Sequence, residues 1–242
     1  MIGKSIIELD SVDSTSNYIA KAIDAGEYAY GTAILAHFQT NGRGQRTATW
    51  QSDKDQNLTF SFALPLSGFD TRAFFSVSRA ISLSIVSTLK DYFKGGVRIK
   101  WPNDILVNQK KIAGILIENK LGMSPSAICG IGLNINQTEF SKMPHVTSLK
   151  LLTGNEVDKY HVLEKLLGNL NMEWELLSNG DFRNQKSRYE AELFGLNQLI
   201  YFEENATKMK GRIVGTTEDG RLLVKTNGVE KAYLPKSIKL LY

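Results

Sequence analysis

Along "NLTFSFAL" (Asn57–Leu64) apolar and polar residues alternate with the period of two that marks a strand. The pattern then lengthens. From residue 71 to 93, Phe74, Phe75, Val77, Ile81, Ile85, Leu89 and Tyr92 recur near helical spacing, and Gly95-Gly96 ends the run. Upstream, "KSIIELDSV" predicts a strand, and Asp13–Ser14 caps a helix through "TSNYIAKAIDA" that Gly26 terminates. "TAILAHF" (Thr32–Phe38) reads as a further strand. "VRIKWPNDILVNQKKIAGILIE" reads as strand, break and a hairpin turning near Asn108–Lys110, and "SAICGIGLNIN" (Ser126–Asn136) as a buried strand. Helical stretches follow over 159–177 and 182–194.

The character changes near Leu196. "LIYF", "KMKGRIVGTT", "RLLVKT" and "VEKAYL" are short strand candidates joined by Glu-Asp-Gly and Asn-Gly turns. The expected organisation is an α+β domain over 1–195, a β-sheet with flanking helices, and a small all-β barrel over 196–242.

A chain of 242 residues accommodates both units. Its 42% hydrophobic and 22% charged content is ordinary for a soluble protein. Its net charge of +4 comes from scattered residues with no dense basic tract, which permits but does not demand nucleic-acid binding and fits a mildly basic solvated surface; a basic nucleic-acid-binding protein is the alternative of another class. The one cysteine, Cys129, excludes an intramolecular disulfide and suits a reducing compartment. No signal peptide opens the chain and nothing approaches a membrane-spanning stretch, so the expectation is a cytoplasmic protein without membrane contact.

Chemistry concentrates in a few segments. "IGKS" (Ile2–Ser5) imitates the end of a phosphate-binding P-loop but lacks the earlier glycine. "NGRGQRTATWQS" (Asn41–Ser52) is not a dinucleotide fingerprint, because no third glycine or apolar helix follows. Gly42 and Gly44 nevertheless permit close backbone approach, and Arg43 and Arg46 can grip phosphate or carboxylate oxygens; a flexible basic surface loop would read the same way. In "KWPNDI", Pro102 holds Trp101 extended, so Lys100, Asn103 and Asp104 are placed by a stiff turn. Lys111 stands at the mouth of the next strand, which contains Ala113 and Gly114; a strand glycine often marks approach by a ligand. "GIGLNIN" repeats the device with Gly130 and Asn134. Ser14 and Thr15 serve either as helix caps or, with Gln39, as hydrogen-bonding groups for a small polar ligand. The three histidines show no metal spacing.

Together "DSTSN" (Asp13–Asn17, with Ser14, Thr15 and Ser16), "GRGQR" followed by Trp50, "KWPNDI", "KKIAGILIE" and "GIGLNIN" resemble the biotin–protein ligase family in order and spacing over residues 8–136. The resemblance implies a mixed-sheet catalytic domain of the class II synthetase-like, biotin/lipoate ligase type, followed by an SH3-like barrel. It implies activation of biotin by MgATP to biotinyl-5′-adenylate, then transfer to a lysine of a biotin carboxyl carrier domain. On it, Ser14, Thr15, Ser16 and Gln39 hold the biotin head, with Gly42, Arg43, Gly44 and Gln45 of the loop closing over it and the Gly114 and Gly130 backbones lining the pocket. Lys111 contacts carboxylate and α-phosphate; Arg43, Arg46, Trp50, Lys100, Asn103 and Asn134 serve the nucleotide, and Asp104 supports Mg²⁺ or the incoming lysine. The implied catalytic set is Lys111, Arg43 and Asp104, in a monomer or homodimer.

Physical chemistry makes the same demand for cations. A carboxylate attacking a triphosphate brings anions together, and a unit pair at about 4 Å costs roughly 4 kcal/mol at an effective dielectric of ~20. Cations at the meeting point remove that cost.

Three departures stand out. Gln45 replaces a loop arginine, Thr47 a glycine, and Ala48 a frequently basic residue. The motifs begin within the first fifteen residues, so no DNA-binding winged helix is expected ahead of them. A lipoate or octanoate ligase of the same fold is the alternative enzyme, distinguished by whether the pocket carries donors and acceptors for a ureido ring.

Overall fold

The computed structural model describes the chain apart from residues 46–47, 71–73, 123, 141–142 and 242. Its elements run β1 (Ile6–Leu9), α1 (Thr15–Asp24), β2 (Ala33–Ala36), β3 (Asn57–Pro65), α2 (Phe75–Lys90), β4 (Val97–Lys100), β5 (Asp104–Val107), β6 (Lys110–Lys120), β7 (Ser126–Asn134), α3 (Leu149–Thr153), α4 (Lys159–Ser178), α5 (Phe182–Ala191), β8 (Leu199–Glu204), β9 (Thr207–Thr216), β10 (Leu222–Thr226), β11 (Val229–Tyr233) and β12 (Lys239–Leu241).

The first seven strands form one mixed sheet in the order β1-β2-β3-β7-β6-β5-β4, parallel only between β1 and β2. The period of two in β3 decides what each face does. Leu58, Phe60, Phe62 and Leu64 point to one side, joined by Cys129, Ile131 and Leu133 of β7, and this face is covered by α2 and α4. Burying Phe60 and Phe62 there stabilises the fold by roughly 2–3 kcal/mol apiece. The other face carries Thr59, Ser61 and Ala63 beside Ile128, Gly130 and Gly132. Only one end of it is sealed, where Ile19 of α1 packs on Ile34, Ala63 and Ile128. The other end stays open.

Helix α2 is buried nearly all round, so its hydroxyls are satisfied within the helix: Ser84 Oγ donates to the Ala80 carbonyl and Thr88 Oγ1 to that of Ser84, each at 2.8 Å. The β5–β6 hairpin turns at Asn108 and Gln109, both at positive φ (49° and 65°), the geometry of a two-residue turn.

Strands β8–β12 build a separate antiparallel sheet in the order β11-β10-β9-β8-β12 around Phe202, Ile213, Leu222, Val224 and Tyr233. The predicted Asn-Gly turn joins β10 to β11, with Asn227 and Gly228 at φ 51° and 84°. This unit is docked on the larger one through its β9–β10 turn. Arg79 of α2, 1% exposed, donates to the carbonyls of Thr217 (2.8 Å) and Glu218 (3.2 Å). Trp101 Nε1 donates to the Gly220 carbonyl at 2.8 Å.

The observed elements follow the predicted ones closely. The predicted 71–93 helix is observed over Phe75–Lys90, with 71–73 outside the described residues. Helix α3 was not foreseen: five residues hold too little periodicity to detect, although Ser148 caps its start and Gly154 (φ 77°) its end. No helix among the described residues is long and apolar enough to cross a membrane.

Candidate active site

The open end of the sheet floors a cavity of about 990 Å³, whose far wall includes Lys236 to Leu241 of the second sheet. Its floor follows from cross-strand register. Thr59, Gly132, Gly114 and Asp104 lie side by side across β3, β7, β6 and β5, and the next row holds Ser61, Gly130 and Leu116. The glycines are space requirements. A Cβ on Gly132 would sit 2.3 Å from Trp50 Cε2, and one on Gly130 would sit 2.6 Å from Ser16 Oγ. Trp50 thus lies flat on the glycine floor.

One end of the cavity is a hydroxyl cluster. Thr15 Oγ1 and Ser16 Oγ lie 2.7 and 2.9 Å from Ser61 Oγ, with Ser61 fully buried. Gln39 Oε1 accepts from the Thr15 backbone N–H (2.8 Å) and from Thr15 Oγ1 (3.1 Å), capping α1 from outside and leaving its amide NH₂ as the half for a ligand. Ser14 holds the N-cap position with no side-chain cap bond and lines the cavity. Of the two sequence readings of this segment, the capping role falls to Gln39 rather than to the Ser14 side chain.

The other end is charged. Lys111 Nζ lies 2.7 Å from Asp104 Oδ1, and Lys100 Nζ 3.9 Å from Asp104 Oδ2. Lys111 reaches this position through a β-bulge at Ile112: Ile105 opposes Ala113 while Leu106 opposes Lys111. The extra residue turns Lys111 onto the face of Gly114, whose Cβ would lie 3.3 Å from Lys111 Nζ. The 145–147 segment pins the bulge, since the Lys111 N–H donates to the His145 carbonyl and the Thr147 N–H to that of Lys111, both at 2.8 Å.

The glycine-spaced loop is a small hairpin. Trp50 N–H donates to the Gly42 carbonyl and Gly44 N–H to that of Ala48. Gly42 must be glycine because a Cβ would meet the Trp50 carbonyl oxygen at 2.3 Å; this backbone crossing returns Trp50 to the floor. Arg43 is paired with Glu118 of β6, at 2.9 and 2.5 Å, and donates to Asn17 Oδ1 at 2.8 Å. Lys236, in the turn before β12, donates to the Gln45 carbonyl at 3.1 Å.

The structure therefore gathers Ser14, Thr15, Ser16, Gln39, Arg43, Gly44, Gln45, Trp50, Lys100, Asn103, Asp104, Lys111, Gly114 and Gly130 around one cavity. Gly42 stands behind the hairpin. Asn134 is buried under the wall, donating to the Thr147 carbonyl at 2.9 Å rather than facing the cavity. Arg46 and Thr47 lie outside the described residues. Sequence reasoning missed Thr59, Ser61, Glu118 and Lys236. The first two were signalled by hydroxyls on the polar face of an alternating strand; Glu118 and Lys236 had no local signal.

For a metal, the donor set is thin. Among the described residues no group of three His, Cys, Asp or Glu could hold an ion, and Asp104 is flanked by two lysines. These residues do not form a protein-only Mg²⁺ cage; one carboxylate beside a phosphate chain is how Mg²⁺ is commonly held on a nucleotide.

Comparisons with known proteins agree with this geometry. The bifunctional ligase/repressor BirA of Escherichia coli is 28% identical over 242 residues, covering 98% of this chain and 74% of the relative. A biotin–[acetyl-CoA-carboxylase] ligase of Paracoccus denitrificans is 28% identical over 90% of this chain and 92% of its own length. Among solved structures, biotin protein ligase from Aquifex aeolicus in complex with biotin and ATP superposes with a TM-score of 0.84 at 29% identity, covering 98% of this chain and 99% of that one. The model of the biotin/lipoate A/B protein ligase family matches residues 8–136, and the chain belongs to that family.

Proposed function

We propose that this ligase activates biotin with ATP and transfers it to a lysine of a biotin carboxyl carrier domain. The observation that carries the reading is the two-ended cavity: a hydroxyl and amide cluster at Thr15, Ser16, Gln39 and Ser61, and a lysine–aspartate pair at the opposite end, joined by a glycine floor. A ureido ring needs donors and acceptors such as the first end offers, whereas a plain acyl chain does not. The Aquifex aeolicus relative holds biotin and ATP.

In the first step a biotin carboxylate oxygen attacks the α-phosphorus of ATP and pyrophosphate leaves. Lys111 offsets the charge where the two anions meet, with Lys100 behind it. Arg43 and the hairpin backbone cover the mixed anhydride and exclude water, Trp50 walls the acyl and adenine parts, and Asn103 lies at the nucleotide side. Mg²⁺ carried on the phosphates would neutralise part of their charge. In the second step the neutral amine of the acceptor lysine attacks the acyl carbon, the amide forms, AMP leaves and the nitrogen gives up a proton. Asp104 would hold that incoming amine.

The test is pyrophosphate release from ATP without acceptor, with biotin and then lipoate as the acid. Release with biotin alone supports the reading, and release with lipoate alone overturns it. Lys111→Ala should lower the biotin-dependent rate about a hundredfold.

A further inference from the structure

Two polar atoms in the cavity wall are buried without a hydrogen-bond partner: Trp50 Nε1 and Thr59 Oγ1. Thr59 is 6% exposed and lines the cavity. Buried polar groups are nearly always paired, and orphans inside a binding cavity point to a ligand atom. These two also converge. Thr59 stands directly opposite Gly132, so its Cβ lies about 5 Å from where a Gly132 Cβ would be. Trp50 Cε2, which is bonded to Nε1, lies 2.3 Å from that same point. Both residues thus border the same point of the floor, where one small polar group of a ligand would lie beside them.

The chemistry selects the atom. An indole N–H only donates and a threonine hydroxyl can donate, so the atom is an acceptor. The surroundings are cationic: Lys111 Nζ lies 5.7 Å from the Trp50 ring centre. The position is one row along the floor from the Ser61 cluster, towards Lys111. We infer that Trp50 Nε1 and Thr59 Oγ1 form a two-donor site for one oxygen of the substrate's carboxyl group, a specificity role that rests on the biotin-ligase reading above. The same donors would then hold the acyl carbonyl oxygen of the adenylate when the acceptor amine attacks.

The experiment titrates biotin, and a biotin analogue whose side chain ends in a methyl group, into wild type, Thr59→Val, Thr59→Ser and Trp50→Phe by calorimetry. Thr59→Val keeps the shape and removes the hydroxyl. It should weaken biotin about ten- to a hundredfold, the range for a hydrogen bond to a charged group, and change the analogue by less than about twofold. Thr59→Ser should restore biotin binding, and Trp50→Phe should weaken biotin more than the analogue. Because the hydroxyl has no partner in the protein, the melting temperature of Thr59→Val should stay level or rise. Unchanged biotin affinity in Thr59→Val, or equal losses for both ligands, would overturn the site and leave the ligase reading standing. A wild-type chain that binds neither ligand overturns the ligase reading itself.

Discussion

Arg43 and Glu118 meet with two guanidinium nitrogens facing two carboxylate oxygens, tying the loop hairpin to strand β6. The pair is about a third exposed on each side, so solvent screening limits it to roughly 0.5–1 kcal/mol. It nevertheless joins the cover of the cavity to its floor. Glu118→Gln should therefore speed the escape of preformed biotinyl-adenylate about two- to fivefold, measured by chase with unlabelled ligand. Arg43→Ala should release it faster still, since it also removes the bond to Asn17. Equal release from wild type and both variants would show that the hairpin is not the cover.

Gly132→Ala tests the floor. The new methyl would overlap Trp50 Cε2 and Cζ2 at 2.3 and 2.4 Å, so the indole must lift. Overpacking of this kind costs roughly 1–3 kcal/mol. Biotin affinity should fall about ten- to a hundredfold, with a shift in the emission of Trp50. Wild-type affinity and emission would count against the packing described.

The second sheet should stabilise the first. Arg79 is buried, and its two carbonyl acceptors belong to the β9–β10 turn. Arg79→Met should lower stability by about 2–3 kcal/mol, read from denaturant midpoints. Ending the chain after Gly195 strands both Arg79 and the Trp101 N–H, so the remaining part should unfold at lower denaturant than the whole. An unchanged midpoint would mean that the two units are energetically independent.

Acid should weaken one surface cluster. The Lys159 ammonium, 3.0 Å from Asp55, and His37 beside it hold the Asp55 carboxyl below its ordinary 3.8. A depressed carboxylate stabilises the fold above its unfolded value, and that contribution is lost as pH falls through the lower folded one. Asp55→Asn, which tolerates the positive φ of 63° at this position, should be less stable than wild type near pH 7 and converge with it as the pH falls below 3.8. Parallel stability curves for the two proteins would contradict the assignment.

Much of this was legible in the chain. The period of two in "NLTFSFAL" located β3, and the apolar spacing after Phe74 located α2. The site segments were legible because glycine, proline and charge interrupt strands where packing alone would not put them. What escaped were relations between distant residues. Nothing near Glu118 announces Arg43, 75 positions away, and nothing near Lys236 announces Gln45. Arg79 was visible only as a charge inside an apolar helix, and its partners lie 138 and 139 residues on. The bulge was invisible too, because Ile112 is an ordinary strand residue and only the pairing reveals it.

That bulge makes the position of Lys111 a matter of phase. A regular strand sorts odd and even residues to opposite sides, and by that count position 111 belongs with the buried helix-facing set rather than with Gly114. One surplus residue shifts the count, and the cation crosses to the substrate side with no change in its own identity. Deleting Ile112 would remove the bulge and leave Lys111 two positions before Gly114, on that same side. A strand that kept every residue but paired without the bulge would stand Ile112 above the floor and send Lys111 into the core, at the cost of burying a charge.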